Sequence, residues 1–155
     1  MSATHTIGIA DVMAVAAPEQ VRTVLGSCVG VAIYDRVAKV GGLAHVILPD
    51  SAMGKGDRGK FADTAVDWLL ESVLAAGADA SRVAAKIGGG ASMFGEHVDN
   101  GIGEKNIRAV KQRLAKHCIR LVAEDVGGLK GRRMMLDPAT GSVEVQTIGD
   151  EVRML

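Results

Sequence analysis

Aromatic side chains are scarce: two Phe, one Trp and one Tyr in 155 residues. That leaves few of the stacking platforms on which single-strand binders hold unpaired bases. Net charge is also absent, because 18 Lys and Arg balance 18 Asp and Glu, so nothing pulls the chain onto a polyanion. Nucleic acid is a poor fit as a partner. Cysteine occurs only as Cys28 and Cys118, too few for a disulfide framework, and both are expected to be free thiols. No apolar run reaches the ~20 residues a membrane helix needs. The first fifteen residues lack a basic segment followed by an unbroken apolar one, since Asp11 interrupts the only apolar stretch, so no secretory signal is read there. These absences imply a cytoplasmic protein without direct membrane insertion.

What remains is an aliphatic, glycine-rich chain, 48% hydrophobic with 20 Gly, long enough for one core and read as one domain over 1–155. Stretches 6–15, 20–25, 28–34, 40–48, 83–88, 118–124, 133–137 and 142–148 are short, β-branched or alternating, and bounded by turn residues, which predicts strands. Two stretches carry helical spacing instead. Over 61–76, Ala62, Ala65, Val66, Leu69, Leu70, Val73 and Leu74 form one buried face, with Gly77 suited to the C-terminal cap. Over 103–117, Ile107, Val110 and Leu114 line one side, while the basic residues of that stretch read as a solvated face. Two helices among many strands predict an α+β fold with the helices packed on a largely antiparallel sheet.

The segment Thr23-Val-Leu-Gly-Ser-Cys-Val-Gly30 places a thiol where a strand would more comfortably carry a branched residue. A hairpin turning between Arg36 and Val37 sets Cys28 opposite His45, close enough for an imidazole to reach the thiol. An adjacent imidazolium would lower the thiol pKa and make a nucleophile of it, so Cys28 is expected to alkylate faster than Cys118. Gly26 and Gly30 would let backbone approach a substrate closely, and N–H groups there could face an oxyanion. The bland alternative is a small buried cysteine and a satisfied core histidine.

Other motifs fall short. Gly26-Ser27-Cys28-Val29-Gly30 has the spacing of a hydrolase nucleophile elbow but is followed by a strand rather than a helix. Residues 54–60 approach a phosphate-binding loop, but Phe61 stands where a hydroxyl should hold the metal. The glycines at 88–90 lack the third glycine of a dinucleotide fingerprint and read as a tight turn under the Cys28 face. Cys28, His45, His97 and Cys118 show no paired metal-ligand spacing, so neither metal nor cofactor is expected.

Six stretches in order, LGSC at 25–28, AHVILPDS at 44–51, KFADTAV at 60–66, KIGGGASMF at 86–94, IGEKN at 102–106 and EDVGG at 124–128, resemble the CheD family of chemoreceptor glutamine deamidases over nearly the whole chain. The resemblance implies a three-layer α/β/β sandwich. It implies a cysteine hydrolase that converts specific glutamines in the cytoplasmic helices of chemoreceptors to glutamate, with Cys28 as nucleophile, His45 as base and Thr23 orienting the imidazole. Gly26 and Ser27 would lie against the substrate. Val126 departs from the family pattern, which has threonine there. The implied partners are the receptors and, where present, the phosphatase CheC; the alternative is a non-catalytic module that regulates CheC.

Overall fold

The computed structural model describes residues 3–95 and 100–155; His97 lies outside them. The chain runs through β1 (Thr4–Thr6), β2 (Val12–Ala16), β3 (Gln20–Leu25), β4 (Val29–Asp35), β5 (Val40–Val46), α1 (Ala62–Ala75), β6 (Ala84–Gly89), α2 (Ile102–Lys116), β7 (Arg120–Val126), β8 (Arg132–Asp137), β9 (Ser142–Thr147) and β10 (Val152–Met154). The strands form two five-stranded sheets, ordered β2-β5-β4-β6-β7 and β1-β3-β8-β9-β10. Among these strands, only β1 with β3 and β6 with β7 pair in parallel.

The first sheet is the middle layer. Val29, Val31, Ile33, Ala44, Val46 and Ile87 pack with Ala65, Val66, Leu69 and Val73 of α1 and with Val110 and Leu114 of α2. On its other face, Ala32, Tyr34 and Leu43 meet Val21, Met134, Leu136, Val143 and Val145 of the outer sheet. Every residue of β4 and β5 is therefore buried, which is why these strands read as continuous apolar runs while β3, exposed on one face, alternates. The α/β/β layering anticipated from the sequence is the one observed.

Both helices begin and end within a residue of the predicted limits, because their apolar stripes are long and periodic. Gly77 adopts φ +119, and its N–H closes the last turn of α1 on the Leu74 carbonyl at 3.1 Å. Arg113 of α2 and His117, which caps its C-terminus, reach back to Asp67 of α1, so part of the basic face clamps the helix pair rather than being solvated. Three strand expectations need correction. The stretch 6–15 is broken by a turn, in which the Gly8 N–H donates to Asp11 Oδ2 at 2.8 Å, and its halves join different sheets. The strand expected from 118 starts at Arg120, because Cys118 is left-handed at φ +58. The edge strand β10, three residues long and exposed throughout, lies outside the expected strands.

The β4–β5 register also differs. Asp35 pairs with Val40 and Gly30 with His45, leaving a loop of Arg36 to Lys39 rather than a turn centred on Arg36 and Val37. The Asp35 side chain accounts for the shift: Oδ1 accepts from the N–H groups of Val37 and Ala38 at 3.0 and 3.1 Å. Lys39 then closes the loop at φ +56. Gly30, not Cys28, is directly opposite His45.

Candidate functional site

The corrected register moves Cys28 two residues beyond the pairing partner of His45, which leaves both on the same side of the sheet. Side chains alternate along a strand, and Leu43 and Ala32 on that side face the outer sheet. Cys28 itself packs against this inter-sheet core. It stands diagonally from His45, a spacing of roughly 7–8 Å between positions that long side chains can bridge. Gly30 fills the directly opposed place with no side chain. A Cβ there would lie 2.6 Å from Met134 Sδ and 2.9 Å from Leu25 Cδ1, so any side chain would push these two aside beside the pair.

His45 is 3% exposed and Thr23 is fully buried. They belong to different sheets, yet Thr23 Oγ1 lies 2.7 Å from His45 Nδ1. The same hydroxyl lies 2.9 Å from the Ile7 carbonyl oxygen. A carbonyl has no hydrogen to give, so the single hydroxyl hydrogen goes to Ile7 and Oγ1 must accept from His45 Nδ1–H. This fixes the tautomer and leaves the Nε2 lone pair free to take a proton. The backbone of His45 is held too, its N–H donating to the Asp11 carbonyl and its carbonyl accepting from Ala10 N–H.

Electrostatics run against the expectation of a resting ion pair. Burial holds the His45 imidazole below its ordinary value of 6.5, and the Asp11 charge opposes this only in part. Burial likewise pushes the Cys28 thiol above its ordinary 9.0, partly offset by its own backbone N–H. Both shifts favour neutral groups, so the pair rests as thiol and imidazole. Faster alkylation of Cys28 than of Cys118 is therefore no longer expected; Cys118 is exposed.

Residues 26–28 form a bend between β3 and β4 that is tied down on one side. Gly90 N–H donates to the Cys28 carbonyl at 2.8 Å and Ala91 N–H to the Gly26 carbonyl at 2.9 Å. The glycine run 88–90 thus does lie beneath the Cys28 segment. Gly89 adopts φ +95 there, and its missing Cβ makes room for the Cys28 carbonyl. Gly26 and Ser27 are half-buried, with Met93 Sδ over Gly26.

The residue that the sequence reading passed over is Asn106, fully buried in the first turns of α2. Its Nδ2 donates to the carbonyls of Ser27 at 3.3 Å and Ile47 at 3.0 Å. The signal was present: Asn106 sits four residues before Val110, on the apolar stripe, where a polar side chain needs a reason. The near phosphate loop at 54–60 has a packing role instead, since Gly59 is buried where a Cβ would strike the Ala10 carbonyl. Among the described residues no three His, Cys, Asp or Glu side chains come together as metal ligands, and no helix is long and apolar enough to cross a membrane.

The sequence compares closely with known proteins. Residues 47–147 match the family described as CheD chemotactic sensory transduction. The chemoreceptor glutamine deamidase CheD of Halalkalibacterium halodurans is 46% identical, with 92% of each chain aligned. The probable chemoreceptor glutamine deamidases CheD of Symbiobacterium thermophilum and Syntrophomonas wolfei are 45% and 43% identical. The first aligns over 94% of this chain and 93% of its own, the second over the whole of both. Among solved structures, the hypothetical protein YfiH of Bacillus licheniformis has 18% identity and a TM-score of 0.46 over 74% of this chain and 49% of that one. By its family match and its identity to these relatives over nearly its full length, the chain belongs to the CheD family.

Proposed function

We propose that this protein deamidates glutamine side chains in the cytoplasmic helices of chemoreceptors, using Cys28 as nucleophile, His45 as acid and base, and Thr23 to orient the imidazole. The observation that carries this reading is the Thr23 hydroxyl, committed to Ile7 as donor and to His45 Nδ1–H as acceptor, which leaves a basic Nε2 on a histidine that shares its side of the sheet with Cys28. The relatives' names supply the substrate.

Nε2 takes the Sγ proton as Sγ attacks the glutamine Cδ, and the carbonyl oxygen becomes an oxyanion. The imidazolium then protonates the amide nitrogen as it leaves as ammonia, and a thioester remains. Water, giving its proton to Nε2, adds to the thioester carbon. Collapse expels the Cys28 sulfur, which recovers that proton, and glutamate is released. Starting from a neutral pair suits this sequence, because each proton shuttles between sulfur, nitrogen and water without a standing charge in a buried site.

Each turnover adds a negative charge to a receptor helix and so tunes chemotactic signalling. The reaction takes place in the cytoplasm, and CheC, where the cell has it, is a second partner competing for the same face. The test is ammonia release and the glutamine-to-glutamate mass gain in a receptor cytoplasmic fragment, with wild type and Cys28→Ala side by side. Conversion by wild type alone is expected; conversion by both would remove Cys28 from the role.

A further inference from the structure

Three consecutive carbonyls around the thiol each have their own anchor. The Gly26 carbonyl is held by Ala91 N–H and the Cys28 carbonyl by Gly90 N–H, both just past the end of β6. The carbonyl between them, Ser27, is held by a side chain, Asn106 Nδ2, arriving from α2 on the helix layer. The second hydrogen of that amide goes to the Ile47 carbonyl, two residues beyond His45. One buried amide therefore ties the thiol's segment to the end of the imidazole's strand.

Its orientation is not free. Both contacts are carbonyl oxygens, which only accept, so the nitrogen must face them. Asn106 Oδ1 is then left buried with no hydrogen-bond partner among the described residues. An orphaned amide oxygen costs stability, and an apolar residue at this place on the stripe of α2 would avoid that cost.

The Ser27–Cys28 peptide is trans, the only cis bond among the described residues being Ala17–Pro18. In a trans peptide the C=O and N–H point in opposite directions. Drawing the Ser27 carbonyl toward α2 turns the Cys28 N–H away from it, toward its own sulfur. Among the described residues the N–H groups of Ser27 and Cys28 donate to no backbone carbonyl. We propose that Asn106 is a positioning residue that sets the Ser27–Cys28 peptide plane so that the Cys28 N–H meets the oxyanion formed when Cys28 attacks the glutamine amide. This rests on the reading of Cys28 as nucleophile.

The test compares wild type, Cys28→Ala, Asn106→Ala and Asn106→Ser in deamidation of a receptor cytoplasmic fragment, with melting temperature measured for each. For each protein that keeps Cys28, iodoacetamide alkylation of that thiol is followed, because alkylation needs the thiol but builds no oxyanion. Misaligning one donor is expected to lower kcat roughly 10- to 100-fold, in line with the sensitivity of positioned groups to small displacements. KM and the alkylation rate should stay within about threefold, the spread of an unperturbed site.

If Asn106→Ala does not fold, Asn106→Ser, which keeps a smaller donor, is expected to fold and to show the same split at lower amplitude. A receptor-derived peptide carrying an aldehyde in place of the glutamine amide adds a direct readout. Its thiohemiacetal oxygen occupies the oxyanion position, so its inhibition should weaken in step with kcat. A folded Asn106 variant with wild-type kcat, or one whose alkylation falls as far as its kcat, would overturn the proposal. Activity in Cys28→Ala would instead overturn the nucleophile reading beneath it.

Discussion

Val29 and Asp35, the two end residues of β4, are both buried, but the groups around them are treated in opposite ways. At one end Asp35 is fully buried and every acceptor position is used: Val37 and Ala38 N–H, Asp79 N–H at 2.8 Å, and Arg82, whose Nε lies 3.1 Å from both oxygens. The Arg82 guanidinium and these N–H groups hold the carboxyl well below the ordinary carboxylate range. At the other end Asn106 Oδ1 is buried with no hydrogen-bond partner among the described residues, and the tautomer set by Thr23 leaves His45 Nε2 with a lone pair. There burial drives thiol and imidazole toward neutrality rather than toward a fixed charge. A saturated network locks a turn; an unsaturated one keeps groups ready to receive a proton or an oxyanion.

Substitutions at the two ends should separate these roles. The largest effect is expected of Cys28→Ala, which should lower deamidation by about 10⁴-fold or more while leaving the melting temperature close to wild type. Thr23→Val keeps the shape but removes the acceptor for His45 Nδ1–H. Its kcat should fall on the order of 10²-fold, the usual effect of losing the group that orients a functional histidine, and Thr23→Ser should recover most of it. Asp35→Asn strips charge from the saturated end. Denaturant unfolding should show a loss on the order of 2–3 kcal/mol, with kcat of the folded protein unchanged.

A pH series sharpens the contrast further. Since the folded pKa of His45 lies below its unfolded value, the unfolded chain binds the extra proton first. The stability owed to this site is complete above about pH 6.5, the unfolded value, and is lost as pH falls from there through the folded value. Deamidation should follow the same acid limb, with a midpoint below 6.5, and His45→Gln should abolish the acid limb of stability. Cys28 has the opposite sign: its raised pKa means stability is lost as pH climbs from about 9.0 through the folded value. The smallest effect belongs to Cys118→Ser, which should leave stability and kcat unchanged and remove the faster-reacting of the two thiols toward iodoacetamide.

The layers of the fold were legible because long periodic stripes and fully apolar strands each have one physical solution. The placement of Cys28 and His45 on one side of the sheet was legible for a coarser reason, since a shift of two residues preserves it. Their actual register was not, because a carboxylate reaching into its own loop decided it, and no glycine marked the turn. Thr23 could be tied to His45 only through resemblance; it belongs to the other sheet, and local spacing says nothing about what faces it across the core. Asn106 was quoted within a motif but had no role until its two carbonyl partners were seen, 79 and 59 residues away along the chain.

The hydrogen bond between Thr23 and His45 joins one sheet to the other, so the imidazole is aimed only while the two sheets are docked in register. A chain whose outer sheet has come away keeps its thiol and its helix-covered layer, yet it loses the contact that chooses the tautomer. Such a molecule fails silently. On the proposed mechanism the reaction is thereby coupled to completed assembly of the sandwich, and half-folded or clipped copies are expected not to modify receptors.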